Sequence, residues 1–217
     1  VKVEKIQHEI DLNDVKIALT KDLAEKENLY LSPDYPNCKK TLDLQAIREI
    51  FVFTRGSATW DYVEDPQNEG KQICIRPDMV FTLNKTVHFL ELDRGTMNLM
   101  RFRKKLRGYK EYCLNGAFVS KYGVSDFRVL TTALSEERRN NLLEQAIAEG
   151  GNSRCWFAVF DEVISNPFGE VWVRGKEYKE MLESLPESQR KRILNAHRKR
   201  ERDELVRKNV ICHSLLE

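Results

Sequence analysis

The chain has 217 residues, of which 32% are charged, yet 36 Lys and Arg against 34 Asp and Glu leave a net charge of only +2. That length suffices for one large domain with a real core, or for a domain with an appendage, and the charge balance excludes a uniformly polycationic nucleic-acid binder. No apolar run approaches the ~20 residues that a bilayer span requires, and affinity for phosphate has to come from local clusters of charge. In chain order, a helix is expected over 11–27, capped by Asp11 or Asn13 and running through Val15, Ile17, Ala18 and Leu19, with His8 just before it. Residues 30–60 are harder to assign: SPDYPNC reads as loop and LDLQAIREIFVF as helix passing into strand. The stretch 57–72 ends in polar, turn-rich sequence and reads as an exposed hairpin tip or insertion. Strands are expected at 73–83 and 86–93, a helix at 96–115 stopped by Gly116, a strand at 127–134, and a helix from Ser135 to Gly150. Strands at 155–163 and 171–175 follow, then helices near 176–184 and 186–208. The order α-β-β-β-α-β-α-β predicts an α/β fold, a mixed sheet with helices on both faces, covering residues 1–175, and a helical C-terminal extension over 176–217.

The chemistry concentrates in IRPDMVFTLNKTVHFLELDRGT, residues 75–96. Two apolar runs, MVFTL and VHFLEL, flank the turn-like Asn84-Lys85, so the segment reads as a hairpin. Residues two apart on a strand share a face, so Glu91 and Asp93 project together while Leu90 and Leu92 face the other way. Asp78 on the first strand can bring a third carboxylate beside them. Three clustered carboxylates repel one another unless a cation sits among them, and an all-oxygen set favours Mg²⁺ or Mn²⁺. The natural use of such an ion is phosphodiester hydrolysis. The plainer reading, solvated acids at strand ends with Asp93-Arg94-Gly95 as a turn, stays open at this level.

The next helix carries an apolar stripe of Leu99, Phe102, Leu106, Tyr109 and Cys113. Its other side is basic, with Arg101, Arg103, Lys104, Lys105, Arg107 and Lys110. Lys105 and Tyr109 stand i and i+4 and are surface neighbours. A second basic cluster lies at 186–208, with nine Lys and Arg against four Asp and Glu, either a solvated helix or a phosphate-contacting arm.

The string PD, a short hydrophobic strand and a second strand ending in E-x-D resembles the signature of the PD-(D/E)xK nuclease superfamily, and Lys105 with Tyr109 resembles the Q/K-x-x-x-Y element of several of its branches. A longer match is more specific. IQHEIDLNDVKIAL (6–19), RPDMVFTL (76–83), FLELDRGT (89–96) and KKLRGYKEY (104–112) resemble, in order and spacing, the replication-relaxation family of plasmid and mobile-element proteins linked to MobC-type relaxases. The resemblance covers residues 6–135; 28–72 fit poorly and the C-terminal third adds no motif. It implies a restriction-endonuclease-like core in which Asp78, Glu91 and Asp93 hold Mg²⁺ or Mn²⁺. Asp93 stands where the superfamily, though not this family, has a lysine, so Lys105, or Lys104 as second choice, would supply the ammonium that offsets charge on the phosphate. His8 and Asp14 match the first block, with Glu9 as an alternative carboxylate. Arg94, Arg101, Lys104, Arg107 and Tyr109 would contact DNA. The chain begins at Val1, where the family's winged-helix domain would end, which implies a fragment with weak DNA binding of its own.

Other chemistries find no support. The four histidines (8, 88, 197, 213) contain no His-hydrophobe-His pair, and the five cysteines (38, 74, 113, 155, 212) contain no C-x-x-C. An odd number of cysteines without a signal peptide fits reduced thiols in the cytoplasm. There is no Gly-rich phosphate loop and no G-x-S-x-G elbow, hence no nucleotide cofactor and no acyl-enzyme. Tyr109 and Tyr112 remain as possible covalent nucleophiles, although Tyr109 lies on the apolar stripe. The expectation is a metal-dependent DNA-nicking domain acting with relaxosome or replication proteins. The alternatives are a nuclease fold that binds DNA without cutting it and a protein-interaction module.

Overall fold

The computed structural model describes residues 2–27, 30–31, 41–42, 51–83, 86–150, 153–194, 212–213 and 215. The expected Asn84-Lys85 turn, the SPDYPNC loop, the helical part of LDLQAIREIFVF and the helix beyond residue 194 lie outside the described residues.

A separate two-stranded ribbon pairs β1 (Tyr30–Leu31) antiparallel with β2 (Thr41–Leu42). At the centre is the antiparallel pair β6 (Met79–Leu83) and β7 (Thr86–Asp93), with Met79 opposite Leu90. Adding β3 (Val52–Thr54), β8 (Asp126–Ala133), β9 (Cys155–Val159), β10 (Trp172–Arg174) and β11 (Cys212–His213) gives a seven-stranded mixed sheet in the order β11-β10-β9-β8-β7-β6-β3. The strands β7, β8 and β9 run parallel; both flanks are antiparallel. Every β7 residue from Val87 to Asp93 is buried, because a central parallel strand is covered on both faces. Alternation then sorts the side chains. Val87 and Phe89 join Phe127 and Val129 under α2 (Leu99–Leu114), α4 (Glu136–Ala148) and α6 (Gly175–Ser184), with α3 (Ala117–Tyr122) at the edge. Leu90 and Leu92 join Leu130 and Trp156 under α1 (Lys2–Lys26) and α5 (Phe160–Ser165). The expected α/β architecture, a mixed sheet with helices on both faces, is therefore the one observed.

Four local expectations need correction. The first helix begins at Lys2, so neither Asp11 nor Asn13 caps it and His8 lies within it. Its buried stripe, Leu12, Val15, Leu19 and Leu23, extends back through half-buried His8, and Asp11 is satisfied in mid-helix by Gln7 Nε2 at 2.8 Å and by an ion pair with Arg94. The expected strand 73–83 is two strands, divided at Pro77, which has no amide to donate to a ladder. Its first part, β5 (Gln72–Ile75), leaves the sheet and pairs with β4 (Asp61–Glu64), the polar tip between them turning at Asp65. The strand expected to reach residue 163 stops at Val159, where Asp161 and Glu162 favour a helix start; the Val159 amide donates to Glu162. The extension is helical through α6 and α7 (Glu187–Leu194), but Cys212 and His213 return to pair with β10 and Leu215 is buried. Ser135 caps α4 where the sequence placed the start, accepting from the Arg138 amide at 3.2 Å, whereas α2 starts three residues later than expected, capped by Asn98, which accepts from the Arg101 amide at 2.8 Å.

Gly108 fixes how closely the β4–β5 hairpin approaches α2. A β-carbon there would lie 2.7 Å from Ile75 Cδ1 and 2.8 Å from Ile73 Cγ2. Gly108→Val is expected to push the hairpin off the helix and to lower stability by about 1–3 kcal/mol, measured from the urea unfolding midpoint.

Candidate functional site

The β6–β7 register decides the site. Continuing it one residue beyond the Met79–Leu90 pair sets Asp78 opposite Glu91. The Asp78 amide donates to the Leu90 carbonyl at 3.0 Å, and its carboxylate accepts from the Leu92 amide at 2.9 Å, so Asp78 is clipped across the strand at Glu91. His8 reaches the same carboxylate from α1, with Nε2 3.5 Å from Asp78 Oδ2. On the other side, two residues one turn apart on α2 hold Glu91: Tyr109 Oη donates to Oε1 at 2.5 Å and the Lys105 ammonium pairs with Oε2. Four of the five catalytic side chains anticipated from the sequence, Asp78, Glu91, Lys105 and His8, therefore converge.

Their protonation follows from burial and mutual charge. Burial pushes Glu91 up to about 7, reinforced by the negative charge of Asp78 and opposed by Lys105 and Tyr109. Burial opposes the charge of Asp78 as well, but the His8 hydrogen bond, the Lys105 charge and the Leu92 amide outweigh it and hold that carboxyl below its usual range. The hydrogen bond from Asp78 raises His8 above an ordinary imidazole. Burial works against the Lys105 ammonium, yet Glu91 and Asp78 together raise its pKa. Both tyrosines considered as nucleophiles are pushed up, Tyr109 by burial and the neighbouring carboxylates, Tyr112 by burial and its 2.7 Å bond to Asp61. Neither is activated for attack.

Asp93 shares the Glu91 face, as alternation required, but it is turned to a different partner. Arg138 of α4 clasps it with Nε at 3.2 Å from Oδ1 and Nη2 at 2.7 Å from Oδ2, and Nη2 also donates to the Met97 carbonyl at 2.5 Å. Among the described residues no three His, Cys, Asp or Glu side chains form a group that could hold a metal ion. The geometry thus offers two carboxylates, not three, with Asp93 acting in the turn after β7.

Beside Asp78 and Lys105 opens a groove lined by Gln72, Cys74 and Arg76 on one wall and Thr96, Met97, Arg101 and Lys104 on the other. Of the residues assigned to DNA, Arg101 and Lys104 line this groove; Lys104 also lies 3.6 Å from Asp65. The remaining residues assigned to DNA are placed otherwise. Arg94 pairs with Asp11, Arg107 pairs with Glu149 at 3.2 Å, and Tyr109 is 2% exposed, so its work is on Glu91. Glu9 pairs with Arg55 at 2.6 Å on the outside of α1. Sequence reasoning missed Arg76, whose guanidinium stacks over Trp60 with 4.2 Å to the ring centroid. Its signal was available: it precedes Asp78 by two residues in RPD, a spacing that directs both side chains to one side of an extended segment.

The protein is thus a mixed α/β sheet with a carboxylate–lysine site at the end of a central hairpin and a basic groove beside it. The replication-relaxation family profile matches residues 1–127, more than half of the chain, and the protein belongs to that family. Membership gives it a role in replication or mobilisation, with DNA or replication-related partners. Comparison with the curated proteins and with the solved structures returned no match. No helix among the described residues is long and apolar enough to cross a membrane.

Proposed function

We propose that this domain is a metal-dependent DNA-nicking endonuclease of a plasmid or other mobile element, with Mg²⁺ or Mn²⁺ held by Asp78 and Glu91. One observation carries the reading: two adjoining carboxylates meet an ammonium and an imidazole beside a groove walled by Arg76, Arg101 and Lys104. The succession α1-β3-β6-β7-α2-β8, with β3, β6 and β7 antiparallel and β8 parallel to β7, is compatible with a PD-(D/E)xK core.

The residues fit a hard divalent ion. Mg²⁺ is commonly held by one or two carboxylates with water and substrate phosphate completing its shell, so the absence of Asp93 from the pair does not disqualify the site. Burial, with the charge of Asp78 added to it, raises the Glu91 pKa, and a cation beside the two carboxylates would favour their ionised forms. When bound, the ion would supply Lewis-acid polarisation of the phosphoryl group. The protein's own groups do the rest. Lys105 offers positive charge beside both carboxylates, where a phosphate oxygen gaining charge would need it. Tyr109 orients Glu91, His8 orients Asp78, and Arg76, Arg101 and Lys104 position the backbone without reading bases. The basic segment 186–208 extends beyond the described residues; docking of relaxosome or replication proteins there is part of the proposal.

The test is conversion of supercoiled plasmid to nicked circle with Mg²⁺, Mn²⁺ or EDTA. Metal-dependent nicking supports the enzyme. Its absence in folded protein supports a DNA-binding module that has lost catalysis, a reading favoured by the direct ion pair of Glu91 with Lys105. A pH dependence follows. Below about 7 Glu91 holds a proton that a cation must displace, and above it the carboxylate is free. Mn²⁺ affinity in titration calorimetry is expected to rise by roughly tenfold per pH unit up to that point and then level off. Glu91→Gln should flatten the profile.

A further inference from the structure

Helix α1 carries a second apolar stripe that is left exposed among the described residues. Val3, Ile6, Ile10 and Ile17 are 78%, 60%, 46% and 50% exposed, against 0–1% for Leu12, Val15, Leu19 and Leu23 on the buried side. At 3.6 residues per turn the four exposed side chains fall within about 60° of one another, opposite the buried stripe. They follow heptad spacing: Val3, Ile10 and Ile17 repeat every seventh residue, and Ile6 and Asn13 occupy the intervening seam positions. A solvated helix face has no reason to keep three isoleucines and a valine in register, and a seam of this kind matches a partner helix.

We propose that α1 is a dimerisation helix that pairs antiparallel with α1 of a second copy. Charge selects the occupant and its direction. In a parallel pair the flanking residues would bring Glu9 against Asp14 and Lys16 against Lys21 of the other copy, like against like on both sides of the seam. In an antiparallel pair each flank meets itself. The register that sets Ile6 against Ile17 and Ile10 against Asn13 then brings Glu9 of each copy to Lys16 of the other. Shifting it by one heptad either way opposes Glu9 to Glu9 or Lys16 to Lys16, like charge against like. Both flanking side chains are available on the outside of the molecule. Glu9 is half exposed beside Arg55, and Lys16 lies over the Phe53 ring, 5.1 Å from its centroid. The contact is isologous, so it closes at two copies. Because His8 lies on the other side of the helix, the pairing leaves the Asp78 site open.

Sedimentation velocity of the whole chain over a range of concentrations tests this. The wild type is expected to show a monomer–dimer equilibrium, and Ile10→Glu, at an exposed position that leaves the circular dichroism unchanged, a monomer at every concentration. Glu9→Lys and Lys16→Glu should each weaken the dimer, and the double exchange should restore it. A monomeric wild type would overturn the proposal, as would a dimer indifferent to Ile10→Glu. A double exchange that is weaker than either single one would overturn the antiparallel register.

Discussion

Glu91→Gln is expected to lower metal-dependent nicking by at least about 10²-fold while leaving the protein folded. The substitution removes the charge that would hold the cation and keeps a side-chain oxygen to accept from Tyr109, whose 2.5 Å bond is buried with it. Glu91→Ala is the harsher change. It leaves the Tyr109 hydroxyl and the Lys105 ammonium without their buried acceptor, at a cost of about 1–3 kcal/mol in stability on top of the catalytic loss. Nicking rates and thermal melts of both variants separate the two effects. Loss of nicking with an unchanged melt in Glu91→Gln assigns Glu91 to the chemistry, whereas full activity in that variant removes it from the active site.

Arg138→Ala is expected to act on stability instead, and strongly. Asp93 is 3% exposed and receives two of its hydrogen bonds from that guanidinium. Removing the arginine strands a carboxylate in the interior, which costs about 3–5 kcal/mol when the partner charge is well buried. The low end applies here because the Arg138 side chain keeps 19% of its surface exposed. The lost bond to the Met97 carbonyl adds to the effect, since it ties the loop after β7 to α4. Urea unfolding gives the magnitude. The double variant Asp93→Ala/Arg138→Ala should be less destabilised than the sum of its parts, because the stranded charge is gone. If Arg138→Ala unfolds at the wild-type urea concentration, the clasp contributes nothing and Asp93 is free to serve elsewhere.

The contrast between Glu91 and Asp93 shows what the sequence could reveal. Strand alternation placed both on one face, and helical spacing placed Lys105 and Tyr109 together, so each local half of the site was legible. The pairing of Asp78 with Glu91 needed only the register of a short hairpin. What alternation does not encode is which residue arrives from elsewhere. Arg138 lies 45 positions after Asp93, and nothing in SEERRNN distinguishes it from its neighbour Arg139. The same holds for Arg94 with Asp11, 83 positions apart, which is why a buried aspartate inside α1 read as a cap. Two apolar stripes on that helix blurred its periodicity further and hid its true start at Lys2. The return of Cys212 and His213 to the sheet is likewise a long-range pairing of two residues, too short to carry a pattern.

The most direct measurement is Mn²⁺ binding followed by electron paramagnetic resonance at pH 8, comparing the wild type with Asp78→Asn and Asp93→Asn. The account predicts that the wild type binds the ion, that Asp78→Asn abolishes binding, and that Asp93→Asn retains it once the protein is confirmed folded. Binding that survives Asp78→Asn, or that disappears in a folded Asp93→Asn, would contradict a site built from Asp78 and Glu91.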